Sequence, residues 1–232
     1  MKLHLIAALS ILFLAFQVSA EENLVLKNQK DRASYIIGME IGKTFKKQSI
    51  DIDADILTRG IKDAISGEKP LLTEQEIQET MAAFQKEAMA KQVELAKALG
   101  EKNKREGEAF LVKNKEKEGV KTLPSGLQVL VIKGGTGKKP NINDSVTTHY
   151  RGTLIDGTEF DSSYRHGQPV PFPVSGVIAG WTEALQLMEE GAKWQLFIPP
   201  NLAYGEQGKG GVIGPNATLI FEIELISIQE KK

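Results

Sequence analysis

Cysteine is absent from this chain. That excludes a disulfide framework, a thiol nucleophile and any cysteine-based metal site. It also suits a chain bound for an oxidising compartment, where no wrong disulfide can then form. Histidine is nearly as scarce, at three in 232 residues. His4 lies near the N-terminus, His149 on the polar side of a strand-like alternation, where a surface position is expected, and His166 in a polar loop. None of them belongs to a Ser-His-acid arrangement or to a cluster with metal spacing. The net charge is −1, without the basic excess that nucleic-acid binding calls for. The glycine-rich segments at residues 134–138 and 205–211 fit neither a P-loop nor a dinucleotide fingerprint and read as turns. Asn216-Ala217-Thr218 matches a glycosylation sequon, a pattern common by chance.

Long apolar runs are also missing, apart from one at residues 3–18. It follows the positive Lys2, and Val18-Ser19-Ala20 places small residues at the two cleavage-determining positions. The pattern reads as a secretory signal over residues 1–20, cut after Ala20. A membrane anchor or a buried helix is the alternative, but the run is short for a span and the polar Glu21-Glu22-Asn23 follows at once. The mature chain is therefore expected to have no spanning segment.

Residues 21–120 read as an all-helical domain. In the first segment Ile37, Ile41 and Phe45 share one face, and Ser34, Gly38 and Gly42 another. The second carries Leu57, Ile61 and Ile65 and stops at Gly67, a natural helix terminator. The third opens on a capping box, Thr73 with Glu76, and runs without proline to about residue 117. Unbroken, it would be roughly 60–70 Å long. Its apolar positions Ile77, Met81, Phe84, Ala88, Leu95 and Ala98 give way at residues 100–108 to sequence that is polar on every face. A helix without an apolar stripe predicts a connector crossing solvent, or else a flexible charged linker, given the cost of Gly100 and Gly107.

After Pro124-Ser125-Gly126 the hydrophobic period changes from helical to two. Leu127, Val129 and Val131 alternate with their neighbours, as do Val146, Thr148, Tyr150, Gly152 and Leu154. Asp156-Gly157 is a strong hairpin signal. Trp181, Ala184, Leu185 and Met188 mark one short amphipathic helix closed by Gly191. Two further strand faces follow, Trp194, Leu196 and Ile198, then Leu219, Phe221, Ile223 and Leu225. Residues 121–232 thus predict an α+β domain, a curved antiparallel β-sheet of four or five strands wrapped on a short α-helix.

The aromatics of this half sit beside turn residues at segment ends, with few polar groups among them, which is the make-up of a small apolar pocket. They fall in Gly157-Thr158-Glu159-Phe160-Asp161-Ser162-Ser163, Val177-Ile178-Ala179-Gly180-Trp181, Ala203-Tyr204-Gly205 and Asn216-Ala217-Thr218-Leu219-Ile220-Phe221. Their order and spacing resemble the FKBP-type peptidyl-prolyl cis-trans isomerases. The resemblance implies that Trp181 is the floor under a proline ring. Tyr150, Phe160, Val177, Ile178 and Phe221 would be walls, with Phe172 nearby. Asp161 and Tyr204 would be the polar groups, the Ile178 amide a further donor, and Ile213 a contributor from the loop after Tyr204. It also implies binding of macrolide inhibitors of that class, and it calls for no cofactor and no metal. Taken one at a time, these residues have plainer readings: Trp181 and Phe221 as core, Asp161 as a turn cap or a partner of Arg165, Tyr204 as a loop aromatic. Three departures stand out. Val170 replaces an aromatic wall residue, the segment from Phe172 to Val177 is shorter than in the small single-domain members, and Lys209-Gly210-Gly211 replaces a loop that more often carries His and Pro. Arg165 and His166 both fall near the place of a basic partner for Asp161.

The helical half resembles the N-terminal region of the Mip-like periplasmic isomerases, the macrophage infectivity potentiator and FkpA subgroup. The cues are Ser34-Tyr35-Ile36-Ile37-Gly38, Leu72-Thr73-Glu74-Gln75-Glu76 and Gly107-Glu108-Ala109-Phe110-Leu111. This implies homodimerisation through the first helices, with the long helix carrying each catalytic domain. It also implies export to the periplasm, with outer-membrane or surface association left open, and proline-containing unfolded polypeptides as substrates. A chaperone or holdase, or a surface interaction module that uses the pocket only for docking, is the competing reading. The domain starting near residue 121 is expected to fold alone and keep most of its activity on a short proline peptide.

Overall fold

The computed structural model of the chain describes residues 25–229; the signal segment expected at residues 1–20 lies outside them. The chain divides into two compact units, one ending at Leu71 and the other starting at Leu72. The boundary expected at residue 120 falls inside the second unit.

The first unit holds α1 (Gln29–Lys47) and α2 (Ala54–Ser66). Both start on side-chain caps: Asn28 accepts from the Asp31 amide, and Asp53 from those of Asp55 and Ile56, satisfying donors that have no intrahelical partner. Gly67 ends α2 in the left-handed region at φ 70°, as its type requires. Neither helix contains a buried residue. Ile37 is 60% exposed and Ile65 83%.

The second unit opens with α3 (Glu74–Asn114), a 41-residue helix whose Thr73–Glu76 capping box is formed in both directions. At 1.5 Å per residue it is about 60 Å long. The sheet that follows is antiparallel throughout. Its strands are β1 (Val120–Thr122), β2 (Gln128–Lys133), β3 (Ser145–Leu154), β4 (Glu159–Ser162), β5 (Val170–Pro173), β6 (Lys193–Ile198) and β7 (Leu219–Gln229), in the order β1-β2-β6-β7-β3-β4 with β5 also on β3. Seven strands stand where four or five were expected. The extra ones, β1, β4 and β5, have three or four residues each, too few to show a period of two.

The longer strands follow their alternation. In β3 Val146, Thr148, Tyr150 and Gly152 are buried and their neighbours are not. Leu196, Ile198, Leu219, Ile223 and Leu225 are fully buried. They form one core with Trp181, Ala184 and Leu185 of the short helix α4 (Ala179–Leu185) and with Met188 beyond its end. Val131 departs from the expected inward face and is exposed, beside an irregularity in the β2–β6 register.

The expectation that residues 100–108 cross solvent is not met. Gly100, Gly107 and Asn114 are the buried residues of α3. They recur every seven positions, so they share one face. A β-carbon on Gly107 would collide with Thr218 Oγ1, so the helix approaches the sheet where it has no side chain. Asn103 donates to the Pro215 carbonyl at 2.7 Å. The Phe110 ring lies 5.9 Å from that of Phe197. Asn114 donates to Gln128 Oε1 at 2.9 Å, and Gln128 Nε2 to the Leu111 carbonyl at 2.9 Å. This contact explains why Gln128 and Phe197, which point away from the α4 side of the sheet, are buried. The sheet is thus covered on both faces, by α4 and by the C-terminal part of α3.

Candidate functional site

The site forms where α4 begins against β3 and β7. Trp181 enters the helix in its first turn and is 4% exposed. Its ring meets those of Phe221 at 5.1 Å, Tyr150 at 5.4 Å and Phe172 at 5.7 Å, with interplanar angles of 76–86°. Edge-to-face packing of this kind adds about 0.5–1.5 kcal/mol per pair beyond area burial. Tyr150 and Phe172 also pack edge to face at 5.7 Å. The result is a rigid floor with steep walls. Above it lies a cavity of about 310 Å³, the lower end of the range of ligand pockets.

Of the residues singled out in the sequence, Tyr150, Asp161, Phe172, Val177, Ile178, Trp181, Tyr204 and Phe221 line this cavity. Phe160 stands behind the wall, its ring at 5.4 Å from Phe221. Gly152 makes room for both, since a β-carbon there would be 2.6 Å from one ring and 2.7 Å from the other. Ile213 is placed differently. It is buried in the core beneath the loop that follows Tyr204 and does not line the cavity. Val170 is paired with Thr148 on β5 and also stays out of the cavity lining.

The polar groups are few and fixed. Asp161 Oδ2 accepts from the Tyr150 hydroxyl at 2.9 Å, and Oδ1 from the Ser162 amide at 2.8 Å. Burial, reinforced by the hydrogen bond to Asp161 and by its negative charge, pushes the Tyr150 phenol up to about 12. Tyr150 therefore remains a neutral donor throughout the physiological range. Arg165 does not contact Asp161. Its Nη2 donates to the Phe160 carbonyl and its Nε pairs with Glu159. His149 is half-buried instead of lying open on the surface, stacked on Tyr164 at 4.7 Å with Nδ1 3.0 Å from Ser163 Oγ. Ile178 is the residue preceding α4 and has extended backbone. Among the described residues its amide has no protein acceptor, which leaves it able to donate to a ligand.

Two lining residues were not picked from the sequence as site residues. Gly176 sits at the end of a 3-10 turn, beside Pro173. Lys209 reaches back along its loop to Tyr204. Neither had a signal that pattern reading could use, because a loop side chain takes its direction from turns and not from a period.

An apolar floor, perpendicular aromatic walls and a few polar groups at the edge suit an enzyme that holds and twists a bound chain. The comparisons agree. The family described as FKBP-type peptidyl-prolyl cis-trans isomerase matches residues 136–226, and the domain amino terminal to it matches residues 30–131. The chain is 48% identical over 231 residues to the outer membrane protein MIP of Legionella longbeachae, across 99% of each chain. It is 46% identical over 206 residues to the peptidyl-prolyl cis-trans isomerase Mip of Coxiella burnetii, across 89% of this chain and 90% of that one. The crystal structure of FkpA from Escherichia coli superposes with a TM-score of 0.69 at 37% identity, covering 88% of this chain and 99% of that one. The chain belongs to the FKBP-type peptidyl-prolyl cis-trans isomerase family. Its activity is acceleration of the cis-trans rotation of X-Pro bonds.

Proposed function

We propose that the cavity seats a proline ring on Trp181, between Tyr150, Phe172, Val177 and Phe221, and lowers the rotation barrier by preferring the twisted amide. The barrier of about 18–20 kcal/mol arises from lost amide resonance. At its top the carbonyl is less polar than in the planar form, so an apolar, water-poor surface favours that state over the ground state. Each tenfold of rate requires only about 1.4 kcal/mol of such preference. Tyr204 and the Ile178 amide hold substrate carbonyls, and Phe160 and Ile213 back the walls. Asp161 fixes Tyr150. The observation that carries this reading is the cluster of perpendicular rings around Trp181 beneath a cavity of the right size.

No proton is transferred in this mechanism. Asp161→Ala and Tyr204→Phe are each expected to lower kcat/KM for a proline peptide by a modest factor, about tenfold for the loss of one hydrogen bond, with circular dichroism unchanged. A loss of many orders of magnitude would instead point to acid-base chemistry.

The remaining roles concern the first unit. Its helices bury none of their own residues, and a second copy of the chain is the natural cover for Ile37, Ile61 and Ile65. Sedimentation equilibrium of the mature chain at micromolar concentration is expected to give twice the chain mass; the mass of a single chain would sink the dimer. The same apolar surface favours a second reading, a chaperone that holds unfolded clients alongside catalysis. Suppression of aggregation by a variant with an inactive pocket would support it. The substrates proposed are proline-containing unfolded polypeptides exported to the periplasm, and macrolides of the FKBP class would compete for the cavity. Among the described residues no helix is long and apolar enough to cross a membrane.

A further inference from the structure

Among the described residues, Lys209 is the cation of the cavity lining. It lies in the tight loop after Tyr204, between Gly208 at φ 64° and Gly210 at φ 74°. The loop folds back on itself: the Lys209 amide donates to the Ile213 carbonyl at 3.0 Å, and the Ile213 amide to the Gly210 carbonyl at 3.2 Å. A side chain at position 208 would strike this fold, since a β-carbon would lie 2.5 Å from the Ile213 carbonyl oxygen. The turn therefore fixes the direction in which Lys209 leaves the backbone. Its Nζ donates to the Tyr204 hydroxyl oxygen at 3.2 Å and lies 5.1 Å from the centre of the Tyr204 ring. Both contacts hold the ammonium at the mouth of the cavity. The donation also occupies an acceptor site on the Tyr204 oxygen and leaves the O–H free to point elsewhere. The carboxylate of the site, Asp161, is turned to Tyr150 and Ser162, so it does not neutralise Lys209 through a direct bond.

We propose that Lys209 is a specificity-determining residue. Held on Tyr204, it favours chains that carry a carboxylate next to the isomerised proline and disfavours chains that carry a cation there. The inference rests on the reading of the cavity as the proline site. A polypeptide seated with its proline on Trp181 must leave past the mouth, which brings a neighbouring side chain near the ammonium. Lys209 is exposed, so the attraction acts in water-like surroundings. It is worth about fivefold in kcat/KM at low ionic strength and fades as salt shortens the screening length. An apolar or hydroxylated loop side chain would give no such ordering.

The test uses the full mature chain and capped peptides with Glu, Gln or Lys immediately before or after the proline. Rates come from NMR exchange, which avoids the preferences of a coupling protease. The expected result is a kcat/KM order of Glu, then Gln, then Lys at one or both positions, with a Glu-to-Gln ratio of about five that collapses toward one in about 0.5 M salt. Lys209→Arg should keep the order, Lys209→Met should flatten it and Lys209→Glu should reverse it. Equal rates for the three peptides at both positions, or an order that Lys209→Met and high salt leave intact, would overturn the inference. In either case acceleration of the Gln peptide by the wild-type chain still supports the isomerase reading, and its absence defeats that reading separately.

Discussion

Trp181→Ala is expected to lose both stability and activity. The indole is the point where the rings of Tyr150, Phe172 and Phe221 converge. Its removal leaves a void beneath three rings that α4 and the sheet cannot close without moving. Large-to-small changes of this kind cost about 3–5 kcal/mol, a large part of the stability of a typical domain. Catalysis should suffer separately, because the proline ring loses the surface that excludes water. A drop in kcat/KM of about a hundredfold corresponds to losing about 2.7 kcal/mol of preference for the twisted amide. Trp181→Phe separates the two effects. It keeps an aromatic floor and should retain most of the stability with intermediate activity. Denaturant midpoints and NMR exchange rates on the same samples check both quantities. A stably folded Trp181→Ala with full activity would remove the floor from the account.

The second large effect concerns α3. Compared with a chain starting at Leu72, one starting near Lys121 lacks Asn103, Gly107, Phe110 and Asn114. It thereby uncovers Phe197, Gln128 and the Pro215–Thr218 stretch. The loss is expected to be about 2–4 kcal/mol, the scale of removing one large core side chain. A chain starting near Val93 should lose little, because it retains every one of these contacts. Activity should follow the same order. The helix seats the base of the loop that carries Tyr204 and Lys209, a loop closed by the Asn216 amide on the Gly205 carbonyl at 2.8 Å. Urea titration and exchange rates on the three chains side by side decide it. Equal stability of all three would mean that the docked segment contributes nothing. The sequence-based expectation that the shortest chain keeps most of its activity would then hold.

The same segment shows where sequence reading reaches its limit. The period of two in β3 and β7 exposed the inner faces of the sheet, because residues that face a core there must be apolar. Trp181, Ala184, Leu185 and Met188 likewise marked the short helix. The face of α3 that docks on the sheet is centred on Gly100, Gly107 and Asn114, with Asn103 and Phe110 beside them. It docks by close backbone approach, by amide hydrogen bonds and by the single Phe110 ring, which together leave no hydrophobic period. A stripe of small and amide residues looks the same as a solvated face until the partner surface is known. Gln128 gave no warning either, since a polar residue between Leu127 and Val129 is the ordinary outward position of a strand of period two.

The cavity was legible for a different reason. Its residues come from five separated segments, and only resemblance to a known order of motifs could gather them before the fold did. Eight of the residues it named line one cavity. Ile213 lies in the core instead of the cavity lining, because a loop position in sequence does not say whether the side chain turns in or under. The resemblance also passed over the contact of Lys209 with Tyr204, which depends on two glycine conformations.

The central claim is that a preformed apolar cavity accelerates X-Pro rotation without proton transfer. The most direct measurement is the cis-trans exchange rate of a capped proline peptide, with and without the mature chain, from about pH 6 to about pH 9. Tyr150 keeps its proton up to about 12, so the polar frame of the cavity does not change its hydrogen bond across that window. Acceleration that stays flat with pH is the predicted result. No acceleration, or a bell-shaped profile of the kind produced by an essential acid and base, would contradict the account.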